Sequence, residues 1–160
     1  RKSFVTSTSS IAGNHDWDAA CYELRGKWRM PTTEEFDELI KNCEWTWDAT
    51  NSGFTATSKI EGYKDKFIFL PAAGQFDGKS VGEIGYYWNS SHLIKGNDYK
   101  KMSNRLQIID DYGTIKASLG NTSRSSGFPI RPVWDDSIVI PNPDIDRQGS
   151  SGSSKAGDWE

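Results

Sequence analysis

Cysteine is scarce in this sequence, long hydrophobic runs are missing, and positive charge is not concentrated. The only cysteines among the 160 residues are Cys21 and Cys43, too few for a disulfide framework or a paired-cysteine metal site. One bridge between them and two buried free thiols are both open alternatives. No apolar run approaches the roughly 20 residues of a membrane span, and no basic-then-apolar signal peptide pattern is present. A net charge of -3 does not attract polyphosphate, so nucleic acid is not an expected partner.

Side chains that carry catalysis are also few. The two histidines, His15 and His92, cannot supply a multi-histidine metal site, and no histidine-based triad is recognisable. Asp110 and Asp111 precede a Tyr-Gly pair, an order that favours a turn over a catalytic carboxylate pair. Oxygen-rich loops could hold calcium, but no motif specifies such a site. We therefore predict that the chain is not an enzyme and has no cofactor and no metal ion.

Aromatic residues are expected to supply most of the hydrophobic core. Seven Trp, six Tyr and seven Phe compensate for an apolar content of 35%, because each ring buries a large area. The length suits one domain, which we expect over residues 1–140. Residues 141–160 are rich in Gly and Ser, as is typical of a flexible linker or tail leading to a further module. The abrupt start at Arg1 is compatible with a fragment of a longer or processed protein.

Two segments have the pattern of short helices. In PTTEEFDELIKNC, Thr32 and Glu35 have the spacing of a capping box, and apolar residues recur at helical intervals. In NHDWDAACYELRG, Asn14 or Asp16 is the expected N-cap and Gly26 the expected stop signal. The sequence therefore predicts two amphipathic helices near the start of the chain.

Short apolar pieces separated by Gly, Asn and Asp predict strands over the rest of the chain. These pieces are KWRM, EWTW, KFIFL, GYYWNS, NRLQII, TIKAS and FPIRPVW, and SIVI at 137–140 could pair as an edge strand. The predicted fold class is α+β, with two short helices packed on small, mainly antiparallel sheets and long ordered loops. Arg29 and Arg131 each lie beside an apolar residue and a proline. We interpret both as structural, with anion binding as the alternative.

Two stretches carry finer predictions. In FLPAAG the strand should end at Pro71 and turn through small residues, with Gly74 permitting a positive φ. In GYYWNSS, Tyr86 and Trp88 should point to one face of a strand and Tyr87 to the other, so that at least one ring enters the core.

Four blocks in a fixed order carry a family resemblance. They are DWDAA (16–20), WRMPTTEEFDELI (28–40), FIFLPAAG (67–74) with GYYWNSS (85–91), and GFPIRPV (127–133). Over roughly residues 11–134 the chain resembles a large family of bacterial surface and secreted domains that is abundant in gut Bacteroidetes. The resemblance implies a C-type-lectin-like fold, related to the formylglycine-generating enzyme and to the variable proteins of diversity-generating retroelements. Those variable proteins present a mutable binding face, including on phage tail tips.

The sequence departs from the relatives in two ways. The formylglycine-generating relatives need a cysteine pair near the binding face, whereas both cysteines here belong to the helical half. The calcium-binding motifs of C-type lectins proper are not found. The resemblance therefore favours recognition over catalysis.

Polar residues dominate from Asn89 to Ser126, directly after the aromatic strand. Asn, Ser and Tyr suit binding faces because they offer adaptable hydrogen bonds and contact area. The resemblance implies that the displayed face begins here. The expected ligand contacts are Trp88, Asn89, Ser91, His92, Asn97, Tyr99, Asn104, Arg105, Gln107, Asp110, Tyr112, Asn121, Ser123, Arg124 and Ser125.

The expected function is ligand recognition by an adhesin or receptor-binding domain on a bacterial or phage surface. Its ligand would be a glycan or a protein, bound through a polar face formed by residues 89–126, and its location would be extracellular. Two alternatives stay open. One is an enzyme of the formylglycine-generating superfamily with altered chemistry, and the other is a structural subunit of a surface assembly.

Overall fold

A computed structural model describes residues 10–91 and 101–140 of the chain. Two α-helices, eight β-strands and one 3-10 turn make up its regular structure. In chain order they are α1 Ala19–Leu24, β1 Trp28–Arg29, α2 Thr33–Asn42, β2 Cys43–Asp48, β3 Gly53–Ser58, β4 Phe67–Pro71, β5 Ile84–Trp88, β6 Met102–Asp111, β7 Thr114–Ser123, the 3-10 turn Arg124–Ser126, and β8 Val133–Trp134. In the described part of the chain, no helix is both long enough and apolar enough to cross a bilayer.

The strands form three small sheets, and every pairing between named strands is antiparallel. The strand orders are β2-β3-β4, β5-β6-β7 and the two-stranded β1-β8. The predicted α+β class with small antiparallel sheets is therefore confirmed. The pairing of β1 with β8 joins an early segment of the domain to its last strand.

Local sequence signals account for α2 fully and for α1 in part. In α2 the hydroxyl of Thr32 accepts from the Glu35 backbone N–H, and the Glu35 carboxylate accepts from the Thr32 N–H, which is the predicted capping box. The predicted cap of α1 is wrong. Asp18 is the N-cap of this helix, whereas Asn14 accepts from the Asp16 N–H in the preceding turn.

The core lies between the two three-stranded sheets and α2. Its buried cluster comprises Phe36, Phe54, Leu70, Ala72, Tyr87, Leu106 and Ile108. Tyr87 is 4% exposed and its hydroxyl donates to the Pro71 carbonyl oxygen at 2.6 Å. Burial raises the pKa of this phenol to about 12. The predicted alternation of the three aromatic residues at 86 to 88 is thus confirmed.

The strand predictions missed β3 and extended too far at the end of the chain. β3 reads GFTATS, in which Phe54 and Ala56 are buried but small polar residues hide the alternation. Residues 137–140 form no strand. Instead, the Ile138 N–H closes a turn onto the Asp135 carbonyl oxygen. Cys43 lies at the start of β2 and not within a helix, and both it and Cys21 are free thiols.

Arg29 joins three segments of the domain. Its guanidinium donates to both carboxylate oxygens of Glu35, at 2.6 and 2.8 Å, and to Asp135 at 2.6 Å. Glu35 belongs to α2 and Asp135 follows β8, so one side chain links β1 to both. The bidentate geometry agrees with the structural interpretation of Arg29.

The Arg29 ion pairs predict a specific acid sensitivity. Arg29 lowers the pKa of Glu35, while the Ser137 hydroxyl and then Arg29 hold the pKa of Asp135 at about 2. A lowered folded-state pKa gives stability that is present above the unfolded pKa, near 4, and is lost as pH falls through the folded value. In Arg29→Met the unfolding free energy should therefore decline less steeply between about pH 4.5 and pH 2 than in the wild type. Urea titrations at each pH measure this slope.

The control for this prediction is Lys41→Met, which also removes one positive charge but from an exposed pair with Asp37. Its pH slope should match the wild type. Equal slopes in Arg29→Met and the wild type would contradict the assigned role of Arg29.

Gly74 occupies a position that a side chain cannot share. Its φ is +62°, and a Cβ atom there would lie 2.3 Å from the Lys79 carbonyl oxygen and 2.5 Å from the Val81 nitrogen. β4 ends at Pro71, so the strand and turn predicted for FLPAAG are confirmed. Gly78 provides a comparison, because its φ is +84° but no atom lies within 4 Å of its Cβ position.

Substituting these two glycines separates backbone strain from steric clash. Gly78→Ala should lower the unfolding free energy by about 1–2 kcal/mol, the cost of a left-handed backbone for an L-residue. Gly74→Ala should cost about 1–3 kcal/mol more, because backbone atoms must move as well. Urea denaturation of the two variants tests this, and equal losses would refute the clash.

Candidate functional site

A pocket lies where β5 ends and β6 begins. Its volume is about 310 Å³, and its walls come from five separate parts of the chain. The residues that line it include Trp17, Met30, Trp88, Asn89, Ser103 and Arg124. We call it the Trp88 pocket. Three of the predicted contacts, Trp88, Asn89 and Arg124, meet in it.

Backbone hydrogen bonds hold the walls of the Trp88 pocket together. The Ser90 N–H donates to the Pro31 carbonyl oxygen at 2.8 Å, and the Ile11 N–H donates to the Ser90 carbonyl oxygen at 2.9 Å. The Trp88 N–H donates to the Pro129 carbonyl oxygen at 3.0 Å. The end of β5 is thereby fixed on both sides, which makes the pocket a preformed feature.

The sheet β5-β6-β7 divides the predicted contacts between its two faces. Leu106 and Ile108 are buried against the core, so side chains of even number on β6 point inward. Side chains of odd number on β6 point to the opposite face, together with Tyr86 and Trp88 of β5. We call this the distal face and define it by Tyr86, Trp88, Ser103, Arg105 and Gln107. Asn89 and Asn104 lie on the core side.

Asn89, Ser91 and Asn104 form an internal network instead of a displayed surface. The Asn89 side-chain oxygen accepts from the Ser91 N–H at 3.0 Å and the Thr33 hydroxyl at 3.3 Å. The Asn104 amide donates to the Ser91 carbonyl oxygen, and the Ser91 hydroxyl accepts from the Thr33 N–H. Asn89 is 2% exposed. The expectation that this side chain faces solvent is therefore wrong, because it connects the strand end to the start of α2.

One donor in this network is unsatisfied. The Ser91 N–H donates to one terminal atom of the Asn89 side-chain amide, so that atom is the amide oxygen. The other terminal atom is therefore the amide nitrogen. Within the described residues this nitrogen has no hydrogen-bond partner. A buried donor without a partner costs about 1–3 kcal/mol.

Arg105 and the aromatic rings dominate the distal face. Phe128 stacks on Tyr86 with ring centroids 4.4 Å apart and lies equally close to Trp88. The Arg105 guanidinium lies 5.3 Å from the centre of the Tyr86 ring. Gly120 lies opposite Arg105 in the pairing of β6 with β7. The guanidinium lies 3.7 Å from the position that a Cβ atom on residue 120 would occupy. The guanidinium therefore lies between the Tyr86 ring and the backbone of Gly120.

The remaining predicted contacts are spread along the sheet. Asp110 accepts from the Gly113 N–H at 2.7 Å in the β6-β7 turn, where Tyr112 is fully exposed. Ser103 and Asp111 lie eight residues apart on β6, about 26 Å at strand spacing. Asn121 is exposed on β7, and Ser123 caps the 3-10 turn that holds Arg124 and Ser125. A single face comprising all these residues is therefore not formed. His92, Asn97 and Tyr99 lie outside the described residues.

Asp18 positions the far wall of the Trp88 pocket. Its side chain is fully buried and accepts three backbone N–H groups, those of Gly13 and Met30 at 2.8 Å and Cys21 at 3.0 Å. These bonds hold Met30 and the start of α1 beside the end of β5. Sequence reasoning missed Trp17 and Met30 as site residues. The available signal was a tryptophan between two aspartates, Asp16 and Asp18, at the predicted start of a helix.

The described residues offer no metal centre. Within residues 10–91 and 101–140, no three His, Cys, Asp or Glu side chains cluster in a way that could hold a metal ion. Burial raises the pKa of Cys21, with Asp18 adding to the effect, and burial also raises the pKa of Cys43. Both thiols are therefore less reactive than a free cysteine.

Comparison of the chain with protein-family models, curated proteins and solved structures finds no match. The function is therefore inferred from the site and from the sequence pattern.

Removing the charge of Asp18 should destabilise the domain strongly. In Asp18→Asn the amide nitrogen must replace an oxygen that accepts backbone N–H groups, so at least one buried donor loses its acceptor. We expect a loss of about 2–5 kcal/mol in unfolding free energy, measured by urea denaturation. The matched control is Asp37→Asn on α2, whose exposed pair with Lys41 should contribute at most about 1 kcal/mol. Similar losses in both variants would contradict the proposed role of Asp18.

Proposed function

We propose that the chain is a ligand-recognition domain of an adhesin or receptor-binding protein, and that it binds a glycan through the Trp88 pocket and the adjoining distal face. The observation that carries this proposal is the meeting of two tryptophans with Ser103 and Arg124 in one preformed cavity. Apolar walls with a few placed polar groups are typical of small-molecule sites.

The size and chemistry of the pocket favour a sugar. About 310 Å³ lies at the lower end of the range for ligand pockets, which suits a single ring better than an extended segment of protein. Trp17 and Trp88 both line the pocket, and aromatic side chains suit the C–H groups of a pyranose. Ser103 and Arg124 add polar groups suited to hydroxyl oxygens.

The fold and the location are part of the same proposal. Two short helices beside small antiparallel sheets are compatible with the C-type-lectin-like fold that the sequence resemblance implies. The same resemblance supports a location on a bacterial or phage surface, where a glycan would be an accessible ligand. A protein ligand is the alternative, and it would need contacts well beyond the Trp88 pocket.

Filling the pocket from its rim tests the proposal with little risk to the fold. Ala19 is exposed and lines the pocket, so the indole of Ala19→Trp would occupy space that a ligand needs. The wild type should bind at least one member of a glycan array, and Ala19→Trp should weaken that binding by about tenfold or more. Titration with the selected glycan gives the two dissociation constants.

Glu38→Trp is the matched control, because it adds the same indole to an exposed position on α2 that does not line the pocket. It should bind as the wild type does. The proposal fails if no glycan binds, or if Ala19→Trp binds the selected glycan as tightly as the control. Binding only to a protein array would favour the protein alternative.

A further inference from the structure

Within the described part of the chain, the Arg105 side chain on the distal face has no counter-ion. Among residues 10–91 and 101–140, no carboxylate forms an ion pair with it, and its guanidinium makes no hydrogen bond. The other half-buried arginine described above, Arg29, has two carboxylate partners. Arg29 therefore has anionic partners, whereas Arg105 has none among the described residues.

Desolvation of this guanidinium is only partly offset. Arg105 is half-buried beside the ring of Tyr86 and the backbone of Gly120. Burial lowers its pKa from the usual range, and Tyr86 acts in the opposite direction. A partly desolvated cation without an anion is unfavourable for folding. Its five N–H donors are arranged as a rigid fork that matches a carboxylate.

The surroundings of Arg105 also favour negative charge. Ser103 is two residues before Arg105 on β6, so both side chains are on the distal face. Ser103 lines the Trp88 pocket, which therefore lies about 7 Å from Arg105 along the strand. The pocket contains Arg124 and no Asp or Glu. The acidic pair Asp110 and Asp111 lies at the opposite end of β6. Among the described residues, the acidic side chains of β6 therefore lie at the end of the strand away from the pocket.

We infer that the ligand of this site is an acidic glycan, with one sugar ring in the Trp88 pocket and a carboxylate bound by the Arg105 guanidinium. This inference rests on the proposed glycan-binding function and adds the chemical class of the ligand. The guanidinium is held in place before binding, since Tyr86 and Gly120 restrict it from two sides. Little side-chain entropy is then lost when a carboxylate pairs with it.

A glycan fits these observations better than an acidic peptide. A peptide that reaches Arg105 with an Asp or Glu side chain would need an extended groove or a free sheet edge for its backbone. Arg105 lies on β6, the central strand of its sheet, where both edges are already paired. The adjoining cavity is small and aromatic, which suits a ring.

The experiment compares acidic oligosaccharides with neutral counterparts of the same structure. The probes are oligosaccharides that contain a uronic or sialic acid, each paired with its carboxyl-reduced form. Wild-type protein should bind at least one acidic probe about tenfold to a hundredfold more tightly than the reduced probe, the range expected for a charge-assisted hydrogen bond. Arg105→Gln should lose this preference, and Arg105→Lys should retain only part of it, because Lys lacks the planar fork.

Two controls separate binding from folding and charge. Lys116→Gln removes one positive charge elsewhere on β7, where Lys116 pairs with Asp111, and should leave the preference for the acidic probe intact. Arg105→Gln should unfold at or slightly above the wild-type thermal midpoint, because it removes a partly desolvated cation that has no ion pair among the described residues.

Each outcome distinguishes the two proposals. Binding of neutral and acidic probes with equal affinity, if it is weakened by Ala19→Trp, would overturn the acidic-ligand inference and leave the glycan-binding proposal standing. Binding that Ala19→Trp does not weaken would overturn the glycan pocket itself. An acidic preference that persists in Arg105→Gln would overturn the role of Arg105. Tighter binding of an acidic peptide than of any acidic glycan would also overturn the inference.

Discussion

The buried carboxylate of Asp18 is the constraint on which the arrangement of the site depends. An ion placed in the interior must be satisfied by hydrogen bonds, and three backbone N–H groups from separate segments satisfy this one. The same hydrogen bonds also hold these three segments in place, because a segment that moved away would leave the buried carboxylate unsatisfied. The pocket wall formed by Trp17 and Met30 is therefore fixed by a polar interaction and not by apolar packing alone.

The two faces of the sheet β5-β6-β7 carry different kinds of side chain. On the core side, Tyr87, Leu106 and Ile108 supply apolar burial, and Asn89 joins the strand end to α2. On the distal face, Arg105 lies partly buried beside the Tyr86 ring, which stacks on the buried Phe128. Arg105 has no carboxylate partner among the described residues, and under the proposed function a ligand would supply one.

Local signals in the sequence were reliable where neighbours along the chain decide the structure. Thr32 and Glu35 specify the start of α2 because both groups of the capping box lie within one turn. The cap of α1 was misassigned because the selection of Asp18 depends on Met30, twelve residues away. β3 was missed because Thr and Ala do not show which face is buried until β2 and β4 flank the strand. The contacts were predicted as one continuous segment, but a strand alternates its side chains between two faces, and Trp17 comes from elsewhere.

The pairing of β1 with β8 has a consequence for how the domain is made. Arg29 is translated 106 residues before its second carboxylate partner, Asp135, which follows β8. A nascent chain that has not yet reached residue 135 therefore holds Arg29 with Glu35 alone and lacks the two-stranded ladder. Such a contact between distant positions cannot form until residues 29 to 135 have all emerged from the ribosome. A shortened version that ends before Asp135 would retain the residues that line the Trp88 pocket and yet lack the Arg29–Asp135 ion pair.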